Sequence, residues 1–187
     1  PTLHCQRKDE RPVPRGALPS RSYGCFRPLT DPEVETCRSF AEWMRGDSRY
    51  AVAWALVEAT ARVPELTGTA LRVRSPQVVA LPGCSMTDPR EVGLTDWGVE
   101  QIERIKLADG PALRSGSNGS SHELIAATLR RAGLVKEPGV GPNSVPAWRG
   151  ASELGNGASI DEVAKLLGMR SLDRAAAFIG FDWRGGA

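Results

Sequence analysis

Apolar residues recur at helical spacing along most of the chain, and a short stretch of alternation interrupts them in the middle. Thr30, Asp31, Pro32 and Glu33 make a helix start: a capping hydroxyl, a proline in the first turn and acids at the positive end of the helix dipole. That helix is expected to reach about Met44 and to stop at Gly46. Asp47 and Ser48 open a second, apolar helix through Tyr50, Val52, Trp54, Ala55 and Ala59 that ends before Pro64. Residues 71–94 then change period. Residues 72–74, 77–81 and 91–94 read as strands, with turn material between Pro82 and Pro89. Thr95 and Asp96 cap a helix ending near Ala108. Residues 115–121 (SGSNGSS) read as a loop, and a helix from His122 to Ala132 stops at Gly133. Residues 136–142 form a Pro/Gly connector.

Residues 143–180 are the best specified, with three helices and two sharp junctions. Ser159, Ile160, Asp161 and Glu162 have the S-x-x-E capping-box form. Val163, Leu166 and Leu167 follow Ile160 on one face, Gly168 ends that helix, and Ser171 caps the next. The predicted fold class is therefore mainly α with a small β insert (α+β).

Length and composition narrow the class. The chain has 187 residues and 41% hydrophobic content, enough for one globular domain with a real core. No apolar run approaches the ~18 residues that cross a bilayer, so no membrane partner is expected. No leader resembles a secretory signal, and a cytoplasmic location is expected. The chain opens on Pro1, which leaves a processed or shortened product, with a further domain upstream, as an expectation. Cys5, Cys25, Cys37 and Cys84 show no CxxC pairing, and a zinc site with His4 would match no usual spacing. Reduced thiols, no metal and no cofactor are expected. Net charge is only +2. It is uneven: residues 1–30 hold six cations against two acids, a net of +4, and the remaining 157 are net −2. Residues 1–26 read as a basic arm, either a phosphate-tracking element or a solvated tail.

Several boxes now occur in a familiar order. Leu29-Thr30-Asp31-Pro32-Glu33 matches L-T-x-x-E, and Ala61-Arg62-Val63-Pro64-Glu65-Leu66 matches A-R-x-x-E-L. Leu129 to Leu134 resembles an L-x-x-A-G-hydrophobic approach, and residues 160–180 resemble I-x-x-V-A-x-x-L-G-H-x-S-x-x-T-T-x-x-Y. Together, over residues 27–180, they resemble the catalytic core of the tyrosine recombinases, the phage-integrase family. The resemblance implies a tyrosine-recombinase-like core over residues 27–187. It also implies a chemistry: a tyrosine attacks a DNA phosphate, two arginines and a His or Trp stabilise the phosphoryl oxygens, and a hairpin lysine and a histidine move protons.

This chain departs from that pattern at most of the reacting positions. Arg62 fits the first arginine and Glu65 its accompanying acid. The H-x-x-R box falls on Asn143 and Pro146, G-H-x-S places Met169 at the histidine, and the nucleophile position is Phe178. The only tyrosines, Tyr23 and Tyr50, lie upstream of Arg62, and no lysine lies between Lys8 and Lys106. No catalytic residue is therefore assigned.

Arg62, Arg90, Arg149, Arg170 and Arg174 are the candidate DNA contacts. Arg62 has a bland alternative, an i, i+3 pair with Glu65. Arg90, like Arg72 and Arg74, stands near the place of the family's lysine, Arg149 lies one turn beyond Pro146, and Arg170 and Arg174 flank the last junction. Trp43, Trp54, Trp97, Trp148 and Trp183 read as core or lid anchors. Four functional classes fit these residues. The first is an inactive recombinase-like domain that binds double-stranded DNA and regulates or assists integration or recombination, with a protein partner or self-association through its C-terminal tail. The others are an active enzyme with a borrowed nucleophile, a helix-turn-helix regulator centred on residues 159–179, and a protein-interaction scaffold.

Overall fold

A computed structural model describes residues 26–44, 49–67, 72–75, 77–106 and 118–181, the side chains of 67, 72–75, 105–106 and 118–120 excepted. Most of the basic arm, His4, Cys5, Cys25, the helix start at Asp47 and Ser48, and Trp183 in the tail lie outside the described residues.

The element order follows the apolar pattern. Helix α1 (Asp31–Trp43) starts on Thr30 with Pro32 in its first turn, and the Glu33 carboxylate accepts the Thr30 N–H at 2.8 Å. Helix α2 (Arg49–Glu58) is buried on every side from Ala51 to Glu58. Such an all-round apolar helix is stable only when other elements surround it, and α1, α3, α4 and α5 all pack on it. Strands β1 (Arg72–Ser75), β2 (Val78–Leu81) and β3 (Arg90–Gly93) form an antiparallel sheet in that order, with Val79 opposite Val92 and Leu81 opposite Arg90. Val79, Leu81 and Val92 turn inward to the main core. Helices α3 (Asp96–Lys106), α4 (Asn118–Arg131), α5 (Ser144–Gly155), α6 (Ile160–Leu166) and α7 (Leu172–Phe178) complete the described elements, with short 3-10 segments at Val63–Thr67 and Leu134–Lys136.

A buried carboxylate ties the main core together. Glu58 accepts from Arg38 Nε and Nη2, each at 2.8 Å, from Trp54 Nε1 at 2.8 Å and from Thr95 Oγ1 at 2.9 Å. One anion thus satisfies donors from three segments, the condition under which a buried charge is tolerated. A second, smaller apolar cluster (Ala147, Val163, Leu167, Phe178 and Ile179) seats α6 and α7 on α5.

Two expectations are corrected. Helix α4 begins at Asn118, inside the stretch read as a loop. Ser121 is buried in register with Leu124, Ile125, Thr128 and Leu129, so the helical face extends through the serines. Trp43 is no core anchor: it is 68% exposed, with the Arg131 guanidinium 6.0 Å from its ring. Trp54 is buried, and Trp97 and Trp148 flank Arg38 at 5.5 and 5.7 Å.

Candidate nucleic-acid interface

The site grows from the end of α2. The Ala61 N–H bonds Leu56 C=O and the Thr60 N–H bonds Val57 C=O, both at 3.0 Å, the pairing of a Schellman stop. The residue in the left-handed position is Thr60, at φ +67°. A β-branched side chain there costs about 1–2 kcal/mol. Two bonds hold it: the Thr60 hydroxyl donates to Leu166 C=O at 2.8 Å, and Thr60 C=O accepts from Arg90 Nη2 at 2.7 Å. The corner turns the chain so that Arg62 and Glu65 both point into the protein.

Arg90, at the start of β3, organises this corner. Its Nη1 reaches Glu65 Oε1 at 2.8 Å, its Nη2 reaches Glu65 Oε2 at 3.2 Å, and its Nε donates to Leu166 C=O at 3.0 Å. Glu65 also accepts the Thr87 hydroxyl at 2.9 Å and the Arg62 backbone N–H at 2.6 Å. The Arg90 and Glu65 side chains are 7% and 0% exposed. One guanidinium therefore joins the stop of α2, the acid of the A-R-x-x-E-L box and the C-terminal end of α6.

Because Arg90 holds the Glu65 carboxylate, the Arg62 guanidinium goes elsewhere. Its Nη1 donates to Asn143 Oδ1 at 2.9 Å, and its Cζ lies 3.8 Å from the centroid of the Phe178 ring. Its Nε is buried with no hydrogen-bond partner among the described residues. Burial pulls the Arg62 pKa down to about 10, helped by the neighbouring Arg90 charge and opposed by Glu65. Arg62 is still a cation at neutral pH, and its Nε is a donor that no described residue uses. Phe178 is in turn gripped edge-on by Phe26, ring centroids 4.8 Å apart at 64°.

The structure brings Arg62, Asn143 and Phe178, three of the positions singled out in the sequence, into direct contact. Pro146 is buried in the first turn of α5, where no amide donor is needed, and Met169 packs on the smaller apolar cluster. Arg170 is exposed and makes a fork with Asp88, its Nε at 2.8 Å from Oδ2. Asp88 belongs to the same hairpin end as Arg90, and its backbone N–H bonds Gly168 C=O at 2.9 Å. Arg149 pairs along its own helix with Glu153 at 2.7 Å, while its Nε is buried without a partner among the described residues. Arg174 is exposed on α7. The side chains of Arg72 and Arg74 fall outside the described set. The partners that hold the site, Thr60, Thr87 and Phe26, carry no local sequence signal that marks them.

No protein-family model matches the sequence, and no curated protein matches it significantly. Solved structures do match the fold. XerA recombinase aligns with a TM-score of 0.68 and probability 1.00 over 89% of this chain, at 17% sequence identity. The chain spans 62% of the XerA chain. The class is therefore defined at the level of architecture: a mainly helical, tyrosine-recombinase-like core with a small antiparallel sheet. The particular likeness is to XerA recombinase, and at this identity it is a likeness of fold.

Proposed function

We propose that this chain is a non-cleaving, tyrosine-recombinase-like domain that binds double-stranded DNA and regulates or assists DNA recombination or integration. The observation that carries this reading is the contact between Arg62 and Phe178. At the place where the family resemblance expects a nucleophilic hydroxyl, the guanidinium faces a phenyl ring, which has no oxygen to attack a phosphate. Pro146 supplies no second cation, and neither Asn143 nor Met169 can act as an acid. Loss of such charge from a phosphoryl clamp costs several kcal/mol of transition-state stabilisation, of order 10²–10³ in rate per group.

The DNA contacts in this reading are Arg149, Arg170 and Arg174, with Arg62 behind Phe178. Arg90, expected among the contacts, is turned inward and acts as a positioning residue for Glu65 and the Arg62 corner. A helix-turn-helix mode is disfavoured by α7 itself, because Ala175, Ala176 and Phe178 of the would-be reading helix are buried.

Two measurements on the full chain test the proposal. A nicked suicide duplex is expected to give no covalent adduct, and any adduct overturns the inactivity. A mobility-shift titration is expected to show duplex binding that weakens steeply with salt. Absence of binding at low salt removes the DNA role and leaves the scaffold reading.

A further inference from the structure

Arg62 has the chemistry of an anion site and the accessibility of a core residue. Its Nε has no partner among the described residues, yet Arg62 is only 4% exposed. The group that lies over it is the Phe178 ring, itself 8% exposed, with its centroid 3.8 Å from the Arg62 Cζ. Phe178 belongs to α7, a helix of seven residues seated on the smaller apolar cluster and not on the main core. Elements held by few apolar contacts open at lower free energy than the core. The ring makes an edge-to-face contact with Phe26. The chain beside Phe26 is pinned in turn, by the Arg27 N–H to Gly139 C=O at 2.8 Å and by the Leu29 N–H to Ser144 C=O at 3.2 Å. Pro28 lies against Gly180 at the end of α7, its Cδ 3.6 Å from where a Cβ would stand. The segment that leads into α1 is thus in contact with the helix that covers Arg62.

We propose that Phe178 is a gate over an oxyanion site at Arg62 and that Phe26 is its latch, so that the segment entering α1 sets whether a phosphate group reaches the guanidinium. The inference rests on the reading of Arg62 as part of a DNA-facing surface, and it adds regulation of that site. With the latch closed, the cation is covered by a π face and bonded to an amide oxygen, and a duplex is held by the outer arginines alone. With Phe26 displaced, the ring swings away and Nε becomes a donor to one phosphodiester oxygen.

The test uses the full chain and two single variants. Phe26→Ala removes the latch without altering α7. Phe178→Leu keeps an apolar side chain in the smaller cluster but has no ring face, and near-UV circular dichroism checks that each is folded. Inorganic phosphate, added at constant ionic strength, is expected to give no saturable rise in Tm for the wild type and a saturable one for Phe26→Ala. The rise is expected to vanish in Phe26→Ala with Arg62→Gln. On a DNA duplex, Phe26→Ala is expected to steepen the salt slope by about 1, the mark of one added phosphate contact, and Arg62→Gln to cancel it.

Phosphate stabilisation and salt slope at wild-type values in both single variants overturn the gate, as does a gain that survives Arg62→Gln. Duplex binding by the wild type with an unchanged slope in the variants retains the DNA reading and sinks the gate. Phosphate binding by Phe26→Ala with no duplex binding at any salt supports the gate and sinks the DNA reading.

Discussion

Cζ of Arg62 lies 3.8 Å from the centroid of the Phe178 ring, so the cation of one sequence box is stacked on the aromatic side chain of another 116 positions away. Stacking of this kind contributes about 2 kcal/mol when both groups are desolvated. It offsets part of the cost of burying a guanidinium.

Placing a phenol at position 178 tests the proposed absence of cleavage. Phe178→Tyr keeps the ring and its packing, so the variant is expected to fold. It is expected to form no covalent adduct on a nicked suicide duplex. The phenol ring would keep the contact with Arg62, but Pro146 still supplies no second cation, and Asn143 and Met169 still cannot handle protons. An adduct in this single variant would mean that the remaining residues suffice.

Arg90 and Glu65 form the most buried ion pair at the site. Removing one partner leaves the other charge in a dry interior, a loss of about 3–5 kcal/mol. Arg90→Gln is therefore expected to lower the urea midpoint by that equivalent. Glu65→Gln combined with Arg90→Gln is expected to recover a part of it, because no uncompensated charge remains. A double variant as unstable as Arg90→Gln would assign the loss to the Arg90 bonds with Thr60 and Leu166 instead.

The local layer of this architecture was legible in the sequence, and its long-range polar layer was not. Ser159 and Glu162 form the capping box their spacing implies, Gly168 stops α6 at φ +68°, and the strands fall where alternation placed them. Each of these depends on residues within a few positions of one another. The Arg90–Glu65 and Arg38–Glu58 pairs join residues 25 and 20 apart, and no periodicity encodes such partners. Thr60 in a left-handed corner runs against local preference and is held by Arg90 and Leu166. The start of α4 was missed because serine and glycine suggest a loop, whereas a buried Ser121 continues the apolar face. For the site, Arg62, Asn143 and Phe178 were readable one by one. Their contact in space, and the latch at Phe26, required the fold.

Gly150 of α5 lies close against the smaller cluster. A Cβ there would stand 2.8 Å from Ile179 Cγ2, 3.2 Å from Leu167 Cδ1 and 3.3 Å from Val163 Cγ1. Gly150→Ala gains helix propensity of just under 1 kcal/mol and forces a repacking that costs about 1–3 kcal/mol. The net effect is expected to be destabilising, with Tm lower by a few degrees. Calorimetry checks the sign, and an unchanged or raised Tm would mean that α7 shifts freely.

Glu33 couples the entry segment to acid. Its folded pKa is held down to about 2, first by the Arg27 hydrogen bonds and then by the Thr30 donors, against an ordinary value of 4.5. A depressed carboxylate pKa contributes stability that is fully present above 4.5 and is lost as pH falls towards 2. Glu33→Gln is expected to be less stable than the wild type at pH 7 and to lose less stability between pH 4.5 and 2. Denaturant midpoints across that window check both parts, and parallel curves for the two proteins would remove the role of Glu33.

Asp88 and Arg170 give the DNA reading a two-sided test. Their forked pair is solvent-exposed, so it holds Arg170 only weakly. Asp88→Asn removes the competing carboxylate and one negative charge from the proposed interface. It is expected to tighten duplex binding at low salt and to make the salt slope steeper. Arg170→Ala is expected to weaken binding alike on unrelated duplex sequences and to lower the slope by about 1, as befits a phosphate contact. Combining Arg170→Ala with Arg174→Ala should lower the slope further if both arginines face phosphates. Opposite signs for Asp88→Asn and Arg170→Ala are what a phosphate-facing Arg170 requires. The same sign for both would instead mean that the pair acts by fixing the hairpin end against the α6–α7 junction, and Arg170 would then join Arg90 as a positioning residue.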